Sequence, residues 1–256
     1  MRLDNYLVTT GLFDSRTKAK QAIERGEIYL NSELITKPSY EIKDEIKDEI
    51  NTKIERICEN SFVSLGGFKL NKALNDFRFN PLGLICADIG ASTGGFTDCL
   101  INNGASKVYA IDLNDSLLHE KLKNNNKVVL IVKNARDLTK DDFCDKIDLI
   151  VADLSFISIT QVVEVFSTLL DDGGKLILLI KPQFETGTKK RFKNGIVRDK
   201  KIRLDACNNV YDCAVNHSLI PLAFTTAPIV EGKNIEYLML LEKNGKSKLK
   251  KEQIII

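Results

Sequence analysis

The sequence predicts an α/β protein, a doubly wound sheet preceded by a small N-terminal α+β unit. Two contrasts carry that prediction. From Leu82 onward short apolar runs alternate with helical stretches, the pattern of βαβ units and a parallel sheet. Residues 1 to about 60 are instead polar and short-period. A chain of 256 residues has room for one large domain plus such an appendage.

The elements follow in order. Leu3, Tyr6, Leu7 and Leu12 open the first region, and Asp14 or Ser15 is placed to cap a helix carrying Ala19, Ala22 and Ile23. Gly26 is expected to end that helix, and Glu27 to Ile35 alternates around Asn31-Ser32 as a small hairpin. Ile42, Ile46, Ile50 and Ile54 share one helical face, so residues 41–57 read as a helix or as a short strand followed by a charged linker. Buried strands are expected at 84–88, 107–112, 128–132, 148–153 and 175–180, then around 220–226 and 235–242. Helices are expected from Gly94 to Asn102, over 160–170 and near 199–216. The expected division is 1–60, a junction at 61–81, a main domain at 82–245, and a basic, mobile tail at 246–256.

Composition removes several classes of function. Lys and Arg total 37 against 35 Asp and Glu, a net charge of +2, which argues against a uniformly cationic nucleic-acid binder. The longest apolar runs are about five residues, as in Leu176 to Ile180, where a bilayer span needs roughly 18. Arg2 and Asp4 interrupt the start, so no secretory leader is expected. The six cysteines (58, 86, 99, 144, 207, 213) form no C-x-x-C pair and read as reduced thiols. The expectation is a cytoplasmic protein that neither spans a membrane nor binds a metal.

The strongest local signal is Asp88-Ile-Gly-Ala-Ser-Thr-Gly-Gly-Phe96, at the turn from the first main-domain strand into its helix, where open α/β sheets bind ligands. Gly90, Gly94 and Gly95 allow close backbone approach. Asp112 ends the second strand, where a carboxylate can accept both hydroxyls of a ribose. The spacing is not G-x-G-x-x-G, because Ser92 stands within it. A ligand without phosphates therefore fits better than a dinucleotide, and S-adenosylmethionine is one. The plain alternative is a glycine-rich turn of the sort many α/β domains carry. Asp153 and Lys181 end the fourth and fifth strands on the same crevice, where they read as a reactive pair.

Over nearly its whole length the chain resembles the hemolysin TlyA family of ribosomal RNA methyltransferases, in which an S4-type RNA-binding module precedes an FtsJ-like (RrmJ-like) methyltransferase domain. The resemblance rests on Met1 to Val8, Ser15-Arg16, Asn31, Lys37-Pro38, Val63 to Leu70, Asp88 to Leu100, Ala152 to Ile159, Lys181 to Glu185, Gly195 to Asp199 and Asn234 to Tyr237. It implies S-adenosylmethionine as cofactor, methyl transfer to a ribose 2′-hydroxyl, ribosomal RNA or ribosomal subunits as partner, and a catalytic tetrad of Lys69, Asp153, Lys181 and Glu236. Lys181 would be held by Asp153 and Glu236, with Lys69 positioning from the junction. Cofactor contacts are expected from Asp88, Gly90, Ser92, Gly94, Gly95, Phe96, Asp112, Leu113 and Asp153. The chain departs from the family pattern at Leu65, Asp112-Leu-Asn114, Ala227-Pro-Ile229 and the loop Val230 to Asn234, where Glu231 is a rival to Glu236.

Charge is unevenly spread. Between Thr186 and Arg203 lie Lys189, Lys190, Arg191, Lys193, Arg198, Lys200, Lys201 and Arg203 against Asp199 alone, a candidate phosphate-gripping loop. Arg2, Arg16, Lys18, Lys20 and Arg25 are candidates for the RNA face of the first module. That module holds 10 basic against 12 acidic residues, so a polarised face, not bulk charge, must do the binding. The rival readings are a membrane-acting hemolysin and a ribosome-assembly factor without catalysis.

Overall fold

A computed structural model describes residues 1–24, 28–30, 33–42, 54–56, 62–186, 192–230, 232–246 and 249–255. The chain separates into two compact units, Met1–Ser61 with Pro228–Lys233, and Phe62–Ala227 with Asn234–Ile256.

In the first unit, α1 (Leu3–Thr9) and α2 (Arg16–Glu24) accompany the strands β1 (Ile28–Leu30), β2 (Glu33–Leu34) and β3 (Ile54–Arg56), in sheet order β2-β1-β3. Ser15 Oγ accepts the Lys18 amide at 3.3 Å, so the capping oxygen is serine's, while Asp14 pairs with Lys18. Leu3 and Leu7 of α1, Ala19, Ala22 and Ile23 of α2, and Ile28 and Leu30 of β1 close one core. β1 pairs antiparallel with β2, as the hairpin prediction requires, and also with β3; the expected turn at Asn31-Ser32 lies outside the described residues. Residues 43–53, most of the stretch with two readings, lie outside the described residues, as does Gly26. The two ends of that stretch are not helical: Ile42 is buried in the core with its amide on the Met1 carbonyl, and β3 is a strand.

The second unit opens with α3 (Leu65–Phe77), so the stretch expected as a junction contains a 13-residue helix. Then follow β4 (Ile85–Ile89), α4 (Gly95–Asn102), β5 (Lys107–Asp112), α5 (Glu120–Lys123), β6 (Val128–Val132), β7 (Leu149–Ala152), α6 (Val163–Leu169), β8 (Lys175–Ile180), α7 (Pro182–Glu185), α8 (Lys200–Asn216), β9 (Leu219–Thr226) and β10 (Tyr237–Lys243). The sheet order is β6-β5-β4-β7-β8-β10-β9. Its first five members are parallel. β10 runs antiparallel to both neighbours, which departs from a wholly parallel sheet. A parallel return needs a crossover of about a dozen residues or more, usually a helix, and the described residues between β9 and β10 form none. Strands β4, β7 and β8 bury almost every side chain, as expected of a sheet covered on both faces.

In the C-terminal stretch the described residues 249–255 are packed, not free. Leu249 donates its amide to the Pro221 carbonyl and accepts from Tyr211 Oη at 2.6 Å. Lys251 pairs with Asp212, and Ile254 is buried in the main core. The basic sequence hides an apolar anchor at Leu249 and Ile254. No helix among the described residues is long and apolar enough to cross a membrane. The described cysteines, 86, 99, 144, 207 and 213, are free thiols.

Candidate active site

The site forms where β4, β5, β7 and β8 end. Gly90, just past β4, has φ +88°, and a Cβ there would lie 2.7 Å from the Asp153 carbonyl oxygen and 2.9 Å from Leu154 Cδ2. The turns after β4 and β7 therefore touch backbone to backbone, and any side chain would wedge them apart. Gly95 permits a similar approach at the start of α4: its Cβ would meet Ser64 Oγ at 2.3 Å and the Gly67 amide nitrogen at 2.8 Å. This closeness seats the start of α3 on the start of α4 and brings Lys69, one turn into α3, toward the strand ends.

Two carboxylates fix the loops. Asp112 Oδ2 accepts the Ser92 amide at 2.8 Å, and its Oδ1 accepts the Leu113 amide at 2.7 Å. This locks the turn after β4 to the end of β5. Asp88 is fully buried. Its Oδ2 accepts the Thr97 amide at 2.8 Å and Thr97 Oγ1 at 2.6 Å, while Oδ1 is buried without a hydrogen-bond partner among the described residues. Burial pushes its pKa up to about 7 despite the Thr97 bonds.

Two contiguous cavities open here, of about 380 Å³ and 160 Å³, sharing Gly90, Ser92, Asp153 and Ser155. Asp112 and Leu113 line the larger; Gly95, Phe96 and Lys181 line the smaller. Among the nine expected cofactor residues, Asp88 and Gly94 line neither cavity: Asp88 is spent on the first turn of α4, and a Cβ on Gly94 would press into Leu122.

The four tetrad candidates sit as two ion pairs. Lys181 is buried, with Nζ 2.5 Å from Asp153 Oδ1 and donating to Ser155 Oγ at 2.8 Å. Lys69 Nζ lies 2.6 Å from Glu236 Oε2. Glu236 thus holds Lys69, a correction to the expectation that it holds Lys181, although its neighbour Tyr237 pairs with Ile180 at the end of β8. Burial pulls the Lys69 pKa down, but the charges of Asp153 and Glu236 and the Glu236 hydrogen bond outweigh it and leave it raised. Lys69 is therefore a fixed cation at neutral pH. Glu231, the rival acid, lies outside the described residues.

Several residues escaped the sequence reading. Ser155 holds Lys181 and belongs to the same Ala152-Asp-Leu-Ser run as Asp153, which was the available signal. Lys133, Asn134 and Arg136 line the larger cavity because they follow β6, at the same end of the sheet as the glycine turn. Glu185 accepts from Ser158 Oγ at 2.5 Å and from the Ile159 amide at 2.9 Å, stapling the segment after Lys181 to the segment after Asp153. Asn234 accepts the Val197 amide at 2.8 Å and donates to the Gly195 carbonyl at 2.9 Å, tying the Gly195 to Asp199 motif to the Asn234 to Tyr237 motif.

Among the RNA candidates, Arg2 and Arg16 both bind the buried carboxylate of Asp4. Arg2's hydrogen bonds, with help from Arg16 and against burial, hold the Asp4 carboxyl below the usual range. Lys18 pairs with Asp14 at 3.0 Å and Lys20 with Glu24 at 3.8 Å. Lys193 and Arg198 are exposed. Arg203 is turned inward, donating to Tyr237 Oη and the Val197 and Arg198 carbonyls. Arg25, Lys189, Lys190 and Arg191 lie outside the described residues.

Comparison with known proteins agrees with this geometry. The FtsJ-like methyltransferase model matches residues 62–243, and the S4 domain model matches residues 1–50. Hemolysin A of Brachyspira hyodysenteriae is 41% identical, covering 93% of this chain and 98% of its own. The 16S/23S rRNA (cytidine-2′-O)-methyltransferase TlyA of Mycobacterium tuberculosis is 36% identical over 79% of this chain and 74% of its own. The 23S rRNA (cytidine-2′-O)-methyltransferase TlyA of Campylobacter jejuni is 32% identical over 95% and 100%. In fold, the chain is similar to a solved structure from Streptococcus thermophilus carrying a hemolysin designation, with TM-score 0.70, 35% identity and coverage of 97% and 90%. It is also similar to an S-adenosylmethionine-dependent methyltransferase from Mesorhizobium loti, with TM-score 0.52, 14% identity and coverage of 70% and 100%.

Proposed function

The chain belongs to the FtsJ-like methyltransferase family, and from that premise we infer that it methylates a ribose 2′-hydroxyl of ribosomal RNA with S-adenosylmethionine as donor. The observation that carries the reading is Lys181, buried at the mouth of the cleft between Asp153 and Ser155, with the Lys69–Glu236 pair in the same unit.

The cleft suits the donor. Asp112 and Asp153 are balanced there by Lys133 and Arg136, and Asp153 is already paired with Lys181, which leaves Asp112 as the carboxylate placed to accept a ligand's hydroxyls. The space a Cβ on Gly90 would need is closed by the Asp153 carbonyl, so the backbone itself forms the floor. Asp112 would take the ribose hydroxyls, the Gly90–Ser92 turn the amino-acid end, and Leu113 a face of the adenine. Bound there, the donor would supply a methyl group activated by a sulfonium.

The rest is work for the chain. Lys181 is held on one side by Asp153 and on another by Ser155, which leaves its Nζ directed at an oxygen entering the cleft. The Lys181 ammonium, paired with Asp153, donates a hydrogen bond to that oxygen and offsets the negative charge that develops as the hydroxyl proton passes to solvent. Lys69 stays protonated, so it serves as a second fixed positive charge that favours the developing oxyanion. Glu185 keeps the two loops in register. The N-terminal unit docks RNA through its arginines, and the protein acts in the cytoplasm, where ribosomes are.

The reading is tested by incubating the protein with tritiated S-adenosylmethionine and separated small and large ribosomal subunits. Label is expected in the RNA of at least one subunit. Donor binding with no label in either subunit overturns the assignment.

A further inference from the structure

We propose that Asp4 assembles Arg2 and Arg16 into a single phosphate-gripping fork, so that a buried acid acts as a positioning residue for RNA binding. The proposal rests on the RNA reading of the N-terminal unit given above.

Asp4 is 2% exposed. Its Oδ1 accepts Arg2 Nε at 3.1 Å, and its Oδ2 accepts both Arg2 Nη2 and Arg16 Nε at 3.0 Å. Two guanidinium groups, one from the start of α1 and one from the start of α2, thus converge on one oxygen. Without the acid they would repel each other and rotate freely. With it, both are fixed, and most of their N–H groups have no partner among the described residues.

Those groups face solvent. The Arg2 and Arg16 side chains are 48% and 56% exposed, while their shared acid is 2% exposed. The contrast with the same unit's lysines is direct: Lys18 and Lys20 pair with Asp14 and Glu24, which are 86% and 50% exposed. Wet pairs of that kind hold nothing in place. The Arg2–Asp4–Arg16 cluster keeps a net positive charge and presents two planar donor sets, the geometry that matches a phosphodiester. Its role is not merely to tie α1 to α2, because Leu3, Leu7, Ala19, Ala22 and Ile23 already do that through the core. The ordering that RNA binding would otherwise impose on two arginines is already done in the free protein.

The test uses the full chain and radiolabelled 16S and 23S rRNA transcripts in filter binding over a range of salt. Asp4→Asn raises the net positive charge, so bulk electrostatics predicts tighter binding. The fork predicts the opposite, a loss of about tenfold and a salt dependence shallower by about one phosphate contact. In an Arg2→Gln/Arg16→Gln background, Asp4→Asn is expected to add no further loss. Should Asp4→Asn fail to fold, Arg2→Lys/Arg16→Lys keeps the charge and removes the fork, and about a tenfold loss is again expected. Tighter or unchanged binding by Asp4→Asn, or full affinity in the double lysine variant, overturns the proposal while leaving the RNA reading in place. No RNA binding by the unmodified chain, or no effect of the double glutamine variant, overturns the RNA reading of this unit itself.

Discussion

The Lys181–Asp153 pair and the Arg2–Asp4–Arg16 cluster both join cations to a carboxylate, with the burial inverted. In the catalytic unit the cation is hidden: the Lys181 side chain is 10% exposed against 20% for Asp153. In the N-terminal unit the acid is hidden and the arginines are about half exposed. A buried ammonium can meet only an atom that enters its cleft, which suits a single reacting oxygen. Exposed guanidiniums on a buried acid can meet a polymer that never leaves solvent. Because desolvation offsets much of what a buried ion pair contributes to stability, both arrangements are better read as instruments of binding and chemistry than of folding.

The largest expected effect is on the buried cation. Lys181→Ala should lower the maximal transfer rate by about 10²–10⁴ in a tritium assay, with thermal unfolding little changed. Wild-type activity in that variant would erase the contrast between the units. Next comes the floor of the cleft. Gly90→Ala places a methyl group against the Asp153 carbonyl at positive φ, and calorimetry should show donor affinity reduced by about 10²-fold or more, with stability lower by about 1–3 kcal/mol. Asp112→Ala should weaken donor binding by about tenfold, the worth of a hydrogen bond to a charged group, while largely sparing the maximal rate at saturating donor.

The smallest effect is a pH dependence of opposite sign in the two units. The Asp4 pKa is lowered, so Asp4 contributes stability that is present above the ordinary carboxylate range and lost as pH falls through its folded value. Asp88 is raised to about 7. Its native state holds a proton that the unfolded chain releases near pH 4, so Asp88 makes stability fall as pH rises from about 4 to 7. Denaturant unfolding at stepped pH should show Asp4→Asn removing the acid-side loss and Asp88→Asn removing the decline toward neutrality. Parallel pH profiles for wild type and both variants would show that neither acid matters to stability.

How much of this was legible in the sequence follows from how local each signal is. Strand-ending Asp112, Asp153 and Lys181 could be placed because a parallel sheet delivers every strand end to one crevice. The antiparallel β10 needed the length of its connection, and the packed C-terminus was masked by lysines around two apolar anchors. Pairing inside the site was not legible, because which acid faces which lysine depends on how α3 seats on α4 through Gly66, Gly67 and Gly95. Asp4 was invisible for the same reason: only the fold of α1 against α2 brings an acid between two arginines spaced 14 positions apart in the chain.

The most direct test of the central claim is the chemical position of the transferred methyl group, read by alkaline hydrolysis of labelled rRNA followed by nucleoside analysis. A methyl on the 2′-oxygen removes the nucleophile that alkali needs, so the label should appear in an alkali-resistant dinucleotide with wild-type protein and vanish with Lys181→Ala. Label recovered on a base, in alkali-sensitive mononucleotides, would contradict the account.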